Sequence, residues 1–299
     1  MSVKASKPSP LVTVIIPTFN RAALLLRAIR SVQSQVYTNL EIIIVDDASS
    51  DNTAEIVRNL SEDARIIYIR HRTNRGLAAA GRNTGIRKAR GEHVAFLDDD
   101  DEWVPSKINR QLDVVGKFDM VVCASLIDGV LVERFGREVV TLNDFRRGTR
   151  FPPSGMIAKT SVLRDELFDE QLRYGEDWDL LIRVAKKYRI GYVDVPLLIY
   201  NDGEHQRITN EARNLTPAEL ESRMLVFHKH REFLGPFWYR YHKADMFLSY
   251  FWERRSKIHQ LYNAIRQCGA LPVTIVFLNK IRRRFGRYLA VRNRANTQQ

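Results

Sequence analysis

The chain has 299 residues, 44% hydrophobic and 27% charged, the balance of a globular protein with a substantial core. Its two cysteines, Cys123 and Cys268, exclude a disulfide framework and a cysteine-ligated zinc site, and a reducing cytoplasm is the expected compartment. The formal charge of +12 is regional: residues 1–220 carry 31 Lys/Arg and 31 Asp/Glu, whereas residues 221–299 carry 16 and 4. A basic C-terminal quarter beside a neutral body attracts phosphate-rich surfaces, either nucleic acid or anionic lipid. The N-terminus shows no secretory signal, and no apolar run nears the roughly 18 residues of a spanning helix. Leu271–Leu278, the longest, is short and interrupted by Pro272.

Residues 1–10 read as a flexible leader. Leu11–Ile16 is apolar on both faces and β-branched, as a buried parallel strand is. Asn20 is placed to cap a helix whose stripe is Leu24, Leu25, Ala28, Ile29 and Val32. Leu40–Val45 repeats the strand pattern, and Ser49–Thr53 caps a helix reaching Leu60. A strand at Arg65–Ile69, a helix at Leu77–Ala89 and a strand at His93–Leu97 follow. Strands alternating with helices predict a doubly wound, mostly parallel sheet, whose ligands bind beyond the strand C-terminal ends. A mixed region begins near residue 119 with MVVCAS, passes an Arg/Gly/Pro-rich loop at 146–155, and reaches a helix opening at Glu176–Asp177. From about 216 the pattern is helical and aromatic.

Four acidic or small-residue clusters sit at the predicted strand ends or helix starts. Asp98-Asp99-Asp100-Asp101 is by composition a solvated loop, but four carboxylates at the end of a buried strand repel one another and suit a hard divalent cation. Asp46-Asp47 closes the second strand as a turn, or accepts from a base N–H or ribose hydroxyl. In Gly76–Gly85 the small residues suit close helix–strand packing, and Arg82 projects a cation. Glu176, Asp177 and Asp179 complement a helix dipole, and one of them can serve as a proton-abstracting base.

Taken together, VTVIIPTFNR, IIIVDDASSDNT, NRGLAAAGRNTG, VAFLDDDDEW and YGEDWDL resemble the family 2 glycosyltransferases, over about Val12 to Thr209. The resemblance implies a Rossmann-like nucleotide-diphospho-sugar transferase fold and an inverting transfer from a nucleoside diphosphate sugar, with uridine or thymidine as the leading bases. It implies that Pro17 and Thr18 border the base, that Asp47 accepts from it, and that Asn20 also lies in the donor site. Arg82 lies beside the base or diphosphate. Asp98 and Asp100 fill the outer places of the family's DxD motif, holding Mg²⁺ or Mn²⁺, with Asp100 the main ligand and Asp99 in the variable place beside the donor. Asp177 matches the catalytic base, and His205 and Arg207 match a segment that closes over the diphosphate.

This reading divides the chain into a catalytic domain at 11–215, with a nucleotide-binding half at 11–118 and an acceptor-binding half at 119–215, and a helical basic extension at 216–299. Within the extension, Lys280–Arg294 carries seven Lys/Arg and no acid, with Ile281, Phe285 and Leu289 on one face. It reads as an interfacial helix meeting anionic lipid, which places the enzyme at the inner face of the cytoplasmic membrane with a glycan or lipid-linked acceptor. The aromatic segment Pro236–Arg255 reads equally well as the core of a helical subdomain. A nucleic-acid-binding protein leaves the acidic clusters unexplained; a nucleotidyltransferase on the same sheet would release pyrophosphate instead of a nucleoside diphosphate.

Overall fold

The structure is a computed structural model and describes residues 9–60, 62–127, 130–131, 135–149, 151–200, 217–249, 251 and 256–282. It forms two compact units, Met1–Glu204 and His205–Gln299.

The first unit is built on strands with no exposed face. β1 (Val12–Thr18) and β2 (Leu40–Asp46) are buried at every position and pair in parallel, as do β1 with β4 (His93–Phe96) and β2 with β3 (Ile66–Arg70). Helices α1 (Ala22–Gln33), α2 (Thr53–Arg58) and α3 (Ala78–Lys88) connect them. α1 buries Leu25, Ala28, Ile29 and Val32 as its periodicity requires. Its N-terminus differs from expectation. Asn20 holds a positive φ of 51° and accepts from the backbone N–H of Ser50 (2.7 Å), while Asp51, from the loop before α2, accepts from the N–H of Ala22 (3.1 Å). Asp51 also accepts from the N–H of Thr53, so one carboxylate satisfies the open ends of two helices.

α3 lies unusually close to the sheet. A Cβ on Gly85 would stand 2.5 Å from Ile15, and one on Gly81 would stand 3.0 Å from Pro17, so the small residues of this helix are a packing requirement.

Beyond β4 the sheet turns mixed, and here the sequence reading was incomplete. β5 (Glu102–Trp103) and α4 (Lys107–Val115) lead to β6 (Met120–Ile127), which carries two-residue β7 (Val130–Leu131) on one side. β8 (Val139–Val140) pairs with β10 (Ile190–Tyr200). β9 (Ile157–Lys159) inserts antiparallel between β4 and β6, and β10 runs parallel to β6, giving the order β3-β2-β1-β4-β9-β6-β10-β5. β10 tolerates Pro196 because its register shifts there. α5 (Thr160–Asp165) follows β9, and α6 (Glu176–Lys187) precedes β10.

The second unit is helical: α7 (Pro217–Lys229), α8 (Arg231–Phe247), α9 (Lys257–Cys268) and α10, residues 270–282. Ala244 and Leu248, at the end of α8, pack on Ala264 and Cys268 of α9 and on Val273 and Val276 of α10. Pro272 sits in the first turn of α10, where its missing N–H costs no helical bond. No helix among the described residues is long and apolar enough to cross a membrane.

Candidate active site

The parallel register brings the C-terminal ends of β1, β2 and β4 to one edge of the sheet, and the acidic clusters stand there. The four aspartates follow β4. Asp99 is 5% exposed and accepts from Thr18 Oγ1 (2.8 Å) and Arg21 Nη1 (3.0 Å), tying the acidic turn to the end of β1. Burial pushes its carboxyl up to about 6, helped by the neighbouring Asp100 charge and opposed by Arg21. Asp101 accepts from Ser154 Oγ (2.7 Å), which in turn accepts from the N–H of Asp98 (3.0 Å). These two carboxylates hold the turn. Asp100 Oδ2 also lies 3.1 Å from Arg21, and Asp98 Oδ1 lies 2.6 Å from Arg82.

Arg82 is 3% exposed. Its guanidinium bonds Asp98 on one side and Glu176, at the start of α6, on the other (3.0 Å), and lies 5.2 Å from the centre of the Phe168 ring. Burial favours its neutral form, but the two carboxylates outweigh that and hold it charged. Arg82 thus bridges the acidic turn and α6.

Asp47 lies just past β2. Its oxygens accept from the N–H groups of Arg75 (2.9 Å) and Gly76 (2.9 Å), and one meets His71 Nδ1 at 2.7 Å. His71 Nε2 reaches Thr84 Oγ1 (3.0 Å) on α3, so Asp47 orders the loop from 71 to 76. Pro17 and Thr18 are buried, whereas Phe19 and Asn20 reach the surface at the end of β1.

α6 opens at Gly175, whose φ of 73° suits a residue without a Cβ. The indole of Trp178 donates to the carbonyl of Phe145 (2.8 Å) and pins this first turn. Of its three acids, Asp179 is fully buried against Arg183 Nε (2.8 Å), a pairing of helix to itself. Glu176 is bound by Arg82. Asp177 has no ion-pair partner among the described residues; its carboxylate accepts from the N–H of Trp178 (2.7 Å). Burial first, then the charge of Glu176, pushes the Asp177 carboxyl up to about 7; Asp98 adds to this, and Arg82 opposes it. A carboxylate poised near neutrality suits general-base work. His205 and Arg207 lie outside the described residues.

Among the described residues, no group of three or more His, Cys, Asp or Glu side chains is placed to hold a metal ion. Mg²⁺ is commonly held by one or two carboxylates plus substrate phosphate oxygens. Asp98 and Asp100 offer only carboxylate oxygen, and both already face positive charge, so the donor set fits a hard divalent cation.

Several polar residues of this edge received no role from sequence. Arg21 closes the VTVIIPTFNR motif, which is its only signal; Ser154 and His71 give none, because their partners are 53 and 24 residues away.

The chain matches the glycosyl transferase family 2 model over residues 13–166, and it belongs to that family. It is 30% identical to a Campylobacter jejuni GalNAc(5)-diNAcBac-PP-undecaprenol beta-1,3-glucosyltransferase over 67% of this chain and 67% of that one. The chain spans about a third of the length of some curated relatives that it matches. Among solved structures, it resembles S. aureus TarS 1–349 in complex with UDP-GlcNAc, with a TM-score of 0.65 and 21% identity, covering 89% of this chain and 83% of that one. It also resembles the mannosyltransferase PcManGT from Pyrobaculum calidifontis in complex with GDP-Man and Mn²⁺, with a TM-score of 0.58 and 22% identity, covering 94% and 81%. At these identities the two structures speak for the fold.

Proposed function

We propose that the chain is an inverting, metal-dependent glycosyltransferase that moves a hexose from a UDP- or dTDP-sugar to a hydroxyl of a glycan or lipid-linked acceptor in cell-surface polysaccharide synthesis. The observation that carries this reading is the first turn of α6. Two of its acids are bound by arginines, and Asp177 is left with a carboxyl near neutrality close to the acidic turn.

In this reading Asp177 accepts the proton of the acceptor hydroxyl as that oxygen attacks the anomeric carbon opposite the leaving diphosphate. Asp98 and Asp100 hold Mg²⁺ or Mn²⁺, which supplies positive charge where the leaving group gathers negative charge. Asp99 keeps the acidic turn docked on Thr18. Arg82 holds Asp98 and Glu176 in fixed positions and keeps the Asp177 carboxyl from rising further. Pro17, Thr18, Asn20 and Asp47 border the donor at the β1 and β2 ends, with His205 and Arg207 over the diphosphate. The Campylobacter relative names a polyprenyl-diphosphate acceptor, which supports a lipid-linked substrate here.

The second unit supports a peripheral place on the inner membrane face. α9 exposes Ile258, Tyr262 and Ile265 along one face, α10 exposes Leu271 and Leu278, and no acid follows Glu253 in the whole sequence. An apolar stripe among cations alone suits an anionic bilayer better than a second copy of this chain, whose matching charge would repel it.

The test is Asp177→Asn, assayed with a panel of nucleotide sugars. Donor binding should stay within a few-fold while kcat falls roughly 100-fold or more. Normal turnover would remove Asp177 from the mechanism and leave its turn a helix start only.

A further inference from the structure

The second unit contains a cleft of about 940 Å³ that the catalytic reading does not use. Its shape follows from a break in α8. Gly235 has φ 68° and ψ 174°, and Pro236 restarts the helix, so the chain departs from a straight course just after α7 has ended. The end of α7 contributes Lys229; the start of α8 contributes Arg231; the restarted helix contributes Tyr239, Arg240 and Lys243; α9 contributes Gln267. Four of these side chains are cations, against the single carboxylate of Glu232.

Two of the cations are braced by aromatic rings. The Arg231 guanidinium lies 4.9 Å from the centre of the Tyr239 ring, and Lys243 Nζ lies 5.9 Å from that of Phe247. No ion pair joins Arg231, Arg240 or Lys243 to a carboxylate among the described residues. Lys280, by contrast, pairs with Asp245 in the same unit (2.8 Å). Cations gathered in one concavity repel each other unless an anion sits among them. The apolar core of this unit, the contact of α8, α9 and α10, does not include them.

We propose that this cleft binds the phosphate or diphosphate headgroup of a membrane lipid. Arg231 and Arg240 offer forked donors that match phosphate oxygens, and Lys229 and Lys243 add point charge. The cleft is open to solvent and larger than an inorganic phosphate, so it leaves room for a phosphate carried on a larger group. Two lipids share this chemistry: the diphosphate of a lipid-linked acceptor and the phosphodiester of an anionic phospholipid. The phosphate assignment rests on the cleft alone, and only the choice of the acceptor rests on the proposed function.

The experiment measures binding of inorganic diphosphate to the full chain by calorimetry, with chelator present to suppress metal-assisted binding at the sheet edge. Wild type should bind, and the double variant Arg240→Ala, Lys243→Ala should weaken binding about tenfold or more, since two charge-assisted contacts are lost. Gln267→Glu, which adds a carboxylate at an exposed rim position, should weaken it independently and guards against a folding defect in the double variant. Asp100→Ala should leave this binding unchanged. Affinity retained in both cleft variants but lost in Asp100→Ala would overturn the proposal and leave the glycosyltransferase reading intact. Competition then separates the sources: displacement by a short-chain polyprenyl diphosphate in neutral micelles assigns the acceptor, and displacement by phosphatidylglycerol vesicles assigns the phospholipid. Displacement by neither would overturn the lipid assignment.

Discussion

The two units handle charge in opposite ways. At the sheet edge, acids and bases meet inside the chain: Asp46 with Arg70, Asp47 with His71, Asp98 and Glu176 with Arg82, and Asp99 and Asp100 with Arg21. In the helical unit the ion pairs include His228 with Glu221 and Lys280 with Asp245, and the cleft gathers four cations around the one carboxylate of Glu232. The contrast teaches where to look for ligands. A paired edge fixes geometry for chemistry, whereas surplus charge of one sign seeks its partner outside the chain.

The largest expected effect breaks the sheet edge at the carboxylate proposed as the main metal ligand. On the proposed metal role, Asp100→Ala should lower Mn²⁺- or Mg²⁺-dependent turnover by roughly 1,000-fold or more while the fold persists. Thermal melting and an assay in excess chelator form the check. Full activity of the variant, or of wild type under chelator, would move the edge from metal chemistry to ion pairing alone.

A smaller effect sharpens the same edge through pH. As the proposed base, Asp177 must be ionised to accept a proton, and burial together with the Glu176 charge pushes its carboxyl up to about 7. The rate should therefore fall below neutrality, approaching about tenfold per pH unit, and level off above it. Stability runs the other way. The folded state retains a proton that the unfolded carboxyl releases near its ordinary value, so stability falls as pH rises from about 4 to 7. Asp177→Asn should remove the acidic limb of the rate profile and raise the melting temperature above pH 7. A pH-independent rate in wild type would place the base elsewhere.

How much of this could be read from the residues depends on the range of the contact. β1, β2 and β4 are buried on both faces, so their apolar runs identify them, and the acids at their ends follow directly. β9 has three residues and pairs antiparallel with strands far from it in sequence; no local periodicity marks it. The same holds for the site. Asp98 and Asp177 stand out by composition, but the Arg82–Glu176 bridge spans 94 residues, and the Asp51 contact that replaces the expected Asn20 cap spans 29. The cleft cations were legible as a basic, aromatic segment, and their convergence depends on the break at Gly235.

The smallest effect on catalysis concerns the membrane face, and it sharpens the comparison because it leaves the sheet edge untouched. The basic run at 280–294 was expected to act as one interfacial helix, yet Lys280 is spent on Asp245 and α10 packs through Val273 and Val276. Removal should therefore start at residue 283, which keeps the α10 contacts and deletes Arg283, Arg284, Arg287, Arg292 and Arg294. Each cation near an anionic surface is worth about 1 kcal/mol, so co-sedimentation with phosphatidylglycerol vesicles should drop strongly at low salt. High salt should abolish most of the difference, since exposed charges are screened over about 8 Å at physiological ionic strength. Ile258→Asp with Tyr262→Asp tests the apolar stripe and should weaken sedimentation at both salts, because apolar contact is not screened. Activity on a short, water-soluble acceptor should survive in both variants, and activity on a lipid-linked acceptor should fall. Sedimentation unchanged by both would show that neither surface meets the bilayer. Loss of activity on the soluble acceptor would instead make these residues part of the catalytic fold.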